Sequence, residues 1–198
     1  MFQLEDFLKR YIKPLKNRRI VISVSGGIDS MVLLFLMLQT DYEIIVVHFN
    51  HQKRPQSILD YELLKSLSLE KGFVLEYRLL SFDKGNFHHE AHQKRRQYLK
   101  EIANQYETPY IMTAHHLDDL LESVLIKLTR GSNLLGYAGL QPYYQETHFA
   151  FLKPLLYIEK NQLMDYAQTQ KIPYLQDQSN QEDHYLRNRM RHDVVPLL

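Results

Sequence analysis

Four short β-rich runs, Arg19–Ser25, Ile44–Asn50, Phe73–Leu80 and Tyr110–His115, recur along the chain with a helix-length segment between each pair. Turn or polar residues bound every run. The first, second and fourth are largely apolar rather than alternating, the pattern of strands buried on both faces of a parallel sheet. The segments between them, Ser30–Leu38, Gln56–Lys71 and His89–Gln105, read as helices. This alternation predicts βαβ units in an α/β fold: a doubly wound, mainly parallel sheet with helices on both faces. Such sheets bind ligands beyond the carboxyl ends of their strands. Polar residues follow each run, and chemistry is expected there.

Beyond the fourth run, a helix from Leu117 to about Thr129 would place Leu121, Val124, Leu125 and Leu128 on one face. A glycine-punctuated loop, Arg130–Leu140, comes next. The aromatic run PYYQETHFAFLKPLL predicts a β-excursion ending at Pro154. A helix over Ile158–Gln170, the polar link DQSN and a last helix near Val195-Pro196 complete the chain. The expectation is a single domain over residues 1–198, with 130–198 a loop, β-excursion and small helical C-terminal extension.

The 198 residues are 44% hydrophobic, enough for one full core, and include no cysteine. A cysteine-free chain fits a reducing compartment and excludes thiolate zinc sites, cysteine nucleophiles and persulfide chemistry. The first residues carry Glu5 and Asp6 and no long apolar core, unlike a signal peptide. The best apolar window, Met31–Leu38, falls well short of the about 20 residues of a membrane span. A cytoplasmic protein without a membrane partner is expected. Net charge is +1, from 24 basic and 23 acidic residues, so partners must be read from its distribution. Basic residues bunch at Lys9, Arg10, Lys13, Lys16, Arg18 and Arg19, at Lys94, Arg95, Arg96 and Lys100, and at Arg187, Arg189 and Arg191. Each bunch is either a solvated helix face or part of a polyanion footprint.

Between the first strand and its helix stands Ser25-Gly26-Gly27-Ile28-Asp29-Ser30. Adjacent glycines let backbone N–H groups approach an anion, and a helix beginning at Asp29 or Ser30 adds its positive dipole end. The two serine hydroxyls supply further donors. No Gly-Lys-Ser/Thr follows, so this is not the common P-loop, nor is it a GxGxxG fingerprint. The plainer alternative is a tight turn in which Asp29 only caps a helix.

Other clusters read in two ways as well. His115, Asp118, Asp119 and Glu122 lie at helical spacing after the fourth strand, as a Mg²⁺ or amine site or as an acidic helix start. His48, Asn50 and His51 end the second strand; two histidines without a third ligand argue against zinc. Arg187, Asn188 and Arg191 recur at helical spacing, as a solvated basic face or as contacts to phosphate. Tyr143, Tyr144, Phe149 and Phe151 either pack or stack on nucleobases.

SGGIDS resembles the SGGxDS signature of the N-type ATP pyrophosphatases, adenine nucleotide alpha hydrolase-like enzymes that hold the pyrophosphate of ATP on this loop. Further segments narrow the likeness. HFNHQKRPQSILD, AHHLDDLLESVLIKLTRGSNLLGYAGL, FLKPLL and DQSN followed by RNRMRHDVVPLL are similar to consecutive blocks of the lysidine synthases of isoleucine tRNA. Departures occur at Leu120, Asn133 and Lys153, and at Lys94 and Gln97, where the family tends toward glutamine, glycine and arginines. Lysine lacks the bidentate reach of arginine toward phosphate. By this resemblance most relatives continue into further tRNA-binding domains, and the expectation is that the 198 residues do not include them.

The resemblance implies ATP and Mg²⁺ as cofactors, with free L-lysine and the CAU-anticodon isoleucine tRNA as partners. It implies adenylation of the wobble cytidine followed by displacement of AMP by the lysine amine. Ser25–Ser30 would bind phosphate, with His48 and Asn50 against ATP and the downstream Arg54, Ser57 and Asp60 pinning the loop. Asp29 and Asp119 would hold the metal. His115, Asp118, Asp119 and Glu122 would serve the cytidine and lysine side, and Arg130, Gly131, Arg187, Asn188 and Arg191 the tRNA. Two alternatives remain open: another AMP-forming ligase with a small-molecule acceptor, and a non-catalytic ATP- or tRNA-binding module.

Overall fold

The computed structural model describes residues 4–13, 18–50, 57–80, 87–131 and 139–175, together with Met190 and Val194. The four β-rich runs form β1 (Arg19–Ser23), β2 (Glu43–Asn50), β3 (Val74–Leu79) and β4 (Tyr110–Met112). Between them lie α2 (Ile28–Met37), α3 (Ser57–Lys71) and α4 (Phe87–Gln105); α5 (Leu117–Arg130) follows β4. The β-excursion is a hairpin of β5 (Tyr143–Glu146) and β6 (Phe149–Leu152), and α6 spans Lys160–Thr169. A first helix, α1 (Leu4–Tyr11), carries the start of the first basic bunch; it buries Leu4 and Leu8, with Phe7 and Tyr11 packed beside them. Strands β1 and β4 end sooner than expected, which leaves Val24–Ser25 and Thr113–His116 outside the ladder.

The six strands are ordered β3-β2-β1-β4-β6-β5. All pair in parallel except β5, which runs antiparallel to β6. Side chains of a strand alternate between faces, and here each face has its own core. Ile20, Ile22, Ile44, Val46, Met112 and Leu152 pack with residues of α2, α3 and α6. Val21, Ile45, Val47, Ile111 and Phe151 pack on the other face against Leu99, Ile102 and Ala103 of α4. Burial on both faces is why β1 and β2 read as continuous apolar runs.

From β1 the chain steps outward through α2 and α3 to β2 and β3, then returns through α4 on the opposite face to β4. The direction of winding reverses between β1 and β4. In open α/β sheets the ligand crevice lies at such a switch point, outside the carboxyl ends of the strands.

Among the described residues, the expected apolar stripe of α5 joins neither core cluster: Leu121, Val124 and Leu125 are half-buried. Leu128 is 58% exposed, and the residue α5 buries is Glu122. In the hairpin, packing accounts for most of the aromatics. Phe149 and Phe151 are buried, and Tyr143 stacks on Tyr11 with centroids 5.4 Å apart. Tyr144 is exposed, 5.3 Å from the Arg96 guanidinium. Many basic side chains have acidic partners: Lys9 with Glu5, Arg18 with Asp41, Arg19 with Glu43, and both Arg96 and Lys100 with Glu146. Among the described residues no helix is long and apolar enough to cross a membrane. The DQSN link and the final helix fall on positions outside the described residues.

Candidate functional site

The glycine loop turns out of β1 into α2, which begins at Ile28 with Gly27 as its N-cap. Asp29 is therefore inside the first turn, and no side chain caps the helix. The loop is braced internally. Gly27 N–H donates to Ser25 Oγ at 3.3 Å, and the Ser30 hydroxyl donates to Gly27 O at 2.8 Å. Because the Ser30 proton is engaged there, the 3.1 Å contact between the hydroxyls has Ser25 donating to Ser30. Ser25 N–H donates to the same Ser30 oxygen at 3.1 Å. Both hydroxyl protons thus stay within the loop. Helix geometry leaves the first N–H groups of α2, at Ile28, Asp29 and Ser30, without an intrahelical carbonyl one turn earlier to bond. Such a helix start favours an anion.

Next to the loop, His48 and Asn50 end β2. The His48 Nδ1 faces Val24 O at 2.9 Å; a carbonyl only accepts, so Nδ1 carries the proton. Burial holds the His48 pKa below its ordinary value, against the opposing effects of this bond and of Asp60. The imidazole is then neutral, and its buried Nε2, an acceptor, meets no hydrogen-bond partner among the described residues. Asn50 donates to Tyr77 OH at 2.7 Å. Both side chains are almost wholly buried.

Across the switch point, the residues after β4 converge on Asp29 through His116, a residue the sequence reading passed over in favour of His115. The His116 imidazole is buried, with Nε2 3.7 Å from Asp29 Oδ2 and 3.6 Å from Asp119 Oδ2. Its Nδ1 lies 3.6 Å from Asp118 Oδ1. The adjacent His pair left the choice open in sequence; in the structure His115 Nδ1 meets Thr113 Oγ1 at 2.9 Å instead. Asp119 also caps α5, accepting from His116 N–H at 3.1 Å, so the acidic start is partly structural. Glu122 is fully buried and Asp118 is not, so the acids do not present one solvated face.

Asp29 has a second neighbour that spacing could not reveal. Lys160, the first residue of α6, places its Nζ 2.5 Å from Asp29 Oδ1. Arg130 and Gly131 end α5 at the surface, with Gly131 at φ +71°. Arg187, Asn188 and Arg191 lie outside the described residues, as do His51 and Arg54.

For a metal, Asp29 and Asp119 both approach one imidazole nitrogen. Among the described residues no group of three His, Asp or Glu side chains gathers to hold an ion. One or two carboxylates is the protein share of a Mg²⁺ ion that arrives on substrate phosphates. The donor set fits that case and not a freestanding metal site.

A model of the PP-loop domain matches residues 2–198. The chain is 44% identical over 182 residues to the tRNA(Ile)-lysidine synthase of Aster yellows witches'-broom phytoplasma (strain AYWB), covering 92% of this chain and 42% of that protein. It is 37% identical over 188 residues to the tRNA(Ile)-lysidine synthase of Enterococcus faecalis, covering 92% and 41%. The chain thus spans less than half the length of these curated relatives. Among solved structures it resembles the U34-tRNA thiolase NcsA from Methanococcus maripaludis, with TM-score 0.76 and 16% identity over 96% of this chain and 70% of that one. The NH3-dependent NAD synthetase of Campylobacter jejuni aligns with TM-score 0.61 and 14% identity, covering 86% and 71%. At these identities the structures speak for the fold alone.

Proposed function

The chain belongs to the PP-loop family, and from that premise we propose that it is the ATP-using catalytic unit of a tRNA(Ile)-lysidine synthase. The observation that carries this reading is the joining of the SGGIDS loop to the His116 cluster across the β1–β4 switch point, in a chain 44% identical to a protein of that name. ATP would lie with its polyphosphate on the first N–H groups of α2 and its nucleoside toward His48 and Asn50. There the orphaned acceptor of His48 could meet a ligand N–H or O–H. Mg²⁺, held by Asp29 and Asp119 together with the phosphates, would neutralise charge during transfer.

The reaction has two displacements. The C2 carbonyl oxygen of the wobble cytidine attacks the α-phosphorus, forming an O–P bond as the bond to the β-phosphate oxygen breaks and pyrophosphate leaves. The lysine ε-amine then attacks C2, and AMP departs with the original oxygen. That amine must first lose a proton, and Asp118, Asp119, Glu122 and His115 with its neighbour His116 supply carboxylates and imidazoles on that side. Two features of the chain serve these steps: alignment by a loop braced through its own serines, and preorganised N–H donors at the phosphates. Cytoplasmic location follows from a tRNA substrate.

Pyrophosphate release tests the proposal, measured with ATP, Mg²⁺ and lysine on a CAU-anticodon isoleucine tRNA and on the elongator methionine tRNA. Release only with the first is expected. Release without tRNA, driven by a small acceptor, would replace this reading with another AMP-forming ligase. ATP binding without release would make the chain a nucleotide-binding unit that needs the rest of its relatives' length to act.

A further inference from the structure

Lys160 is 131 residues from Asp29, yet its ammonium rests on that carboxylate. The segment carrying it is fastened to the site on both sides. Before α6, Ile158 O accepts from Leu117 N–H, the first residue of α5, at 3.0 Å; after it, Leu175 N–H donates to Gly26 O at 3.1 Å. Leu163 and Ala167 bury the helix in the core that also contains α2. The backbone of Lys160 is held, while its side chain is a flexible stem ending in a compact charge, 32% exposed.

This places one cation on the carboxylate that a nucleotide-borne divalent ion would need. An ammonium and a divalent cation on one carboxylate repel each other strongly outside bulk water, so each weakens the other's hold. Arrival of the divalent ion therefore favours departure of the ammonium. The ammonium has somewhere to go, since the N–H groups that would cradle a polyphosphate belong to the same first turn as Asp29.

We infer that Lys160 is an exchangeable counter-ion of the phosphate loop: it occupies Asp29 until a nucleotide brings its divalent cation, then moves to the polyphosphate. It thereby ties metal loading to nucleotide loading. The inference rests on the reading of the glycine loop as a polyphosphate site.

The test uses the whole chain and the variants Lys160→Met, Lys160→Gln and Lys160→Arg, with urea unfolding to confirm that each folds. Mn²⁺ binding without nucleotide is followed by electron paramagnetic resonance, and binding of ATP with Mg²⁺ by calorimetry. Both neutral variants should bind Mn²⁺ alone about tenfold more tightly than the wild type and ATP with Mg²⁺ about tenfold more weakly. Lys160→Arg should return both toward wild type, which a merely structural loss would not predict. Tight wild-type ATP binding with unchanged Mn²⁺ affinity in the neutral variants overturns the inference alone. Failure of the wild type to bind ATP with Mg²⁺ overturns the polyphosphate site and the inference with it.

Discussion

Asp60 Oδ1 lies 2.5 Å from where a Cβ on Gly26 would stand. The bare backbone of the loop is thus required by a neighbour from α3 as well as by any ligand, and Gly26 also sits at φ +95°, where side chains are strained. Gly26→Ala should destabilise the chain by about 2–3 kcal/mol and displace the loop from Asp60. Gly72 has a positive φ of +77° but open space around it, so Gly72→Ala should cost only about 1–2 kcal/mol. Urea unfolding of the pair checks the difference; equal losses would mean that the Asp60 contact does not matter.

Burial of His48 sets a pH dependence. The unfolded chain takes up a proton near 6.5, and the native chain only further down, because burial disfavours the imidazolium. The stability contributed by the neutral ring is therefore complete above 6.5 and falls as pH drops below it, until the native pKa is passed. His48→Gln should flatten this part of the profile. Denaturation midpoints across the window report it, and an unchanged slope would sink the assignment.

Lys153 titrates at about 8, pushed down first by burial and then by Arg96. The native chain binds fewer protons than the unfolded chain between that value and 10.5, so the penalty for the half-buried ammonium is present below about 8 and relieved toward 10.5. Acylation of Lys153, followed by mass spectrometry, should have its midpoint near 8 and shift upward in Arg96→Gln. A midpoint that ignores Arg96 would count against their coupling.

His116 bridges the two halves of the site, so His116→Ala should lower pyrophosphate release about a hundredfold by removing the ring against which Asp29 and Asp119 are positioned. His115→Ala, which loses a contact to Thr113, should cost much less. Rates of the two variants under saturating ATP decide which histidine matters. The reverse order would restore the sequence-based choice.

The parallel sheet was legible because strands buried on both faces cannot help being apolar through their centres, as Ile20–Ile22 and Ile44–Val47 are. The glycine loop was legible because its features are local: six consecutive residues supply the turn, the braces and the helix start. What failed was information about distance. Nothing near Asp29 in sequence marks Lys160 as its neighbour, and period alone made Leu128 look like core while its helix buries Glu122. The choice between His115 and His116 turned on which way the backbone faces after β4 leaves the ladder, a detail that spacing does not contain. Helix α1 did carry a pattern: Leu4, Phe7, Leu8 and Tyr11 recur at helical spacing and lie on the core, a signal that periodicity could have found.

The tie from Leu175 N–H to Gly26 O also has a timescale. A ribosome finishes the glycine loop early but does not supply this fastening until residue 175 has been added and has emerged. At about 5–20 residues per second, the loop waits on the order of ten seconds between being made and being closed. During that interval a nascent chain would hold the glycines and their serines without the strap, so the loop reaches its finished geometry late in the life of each molecule.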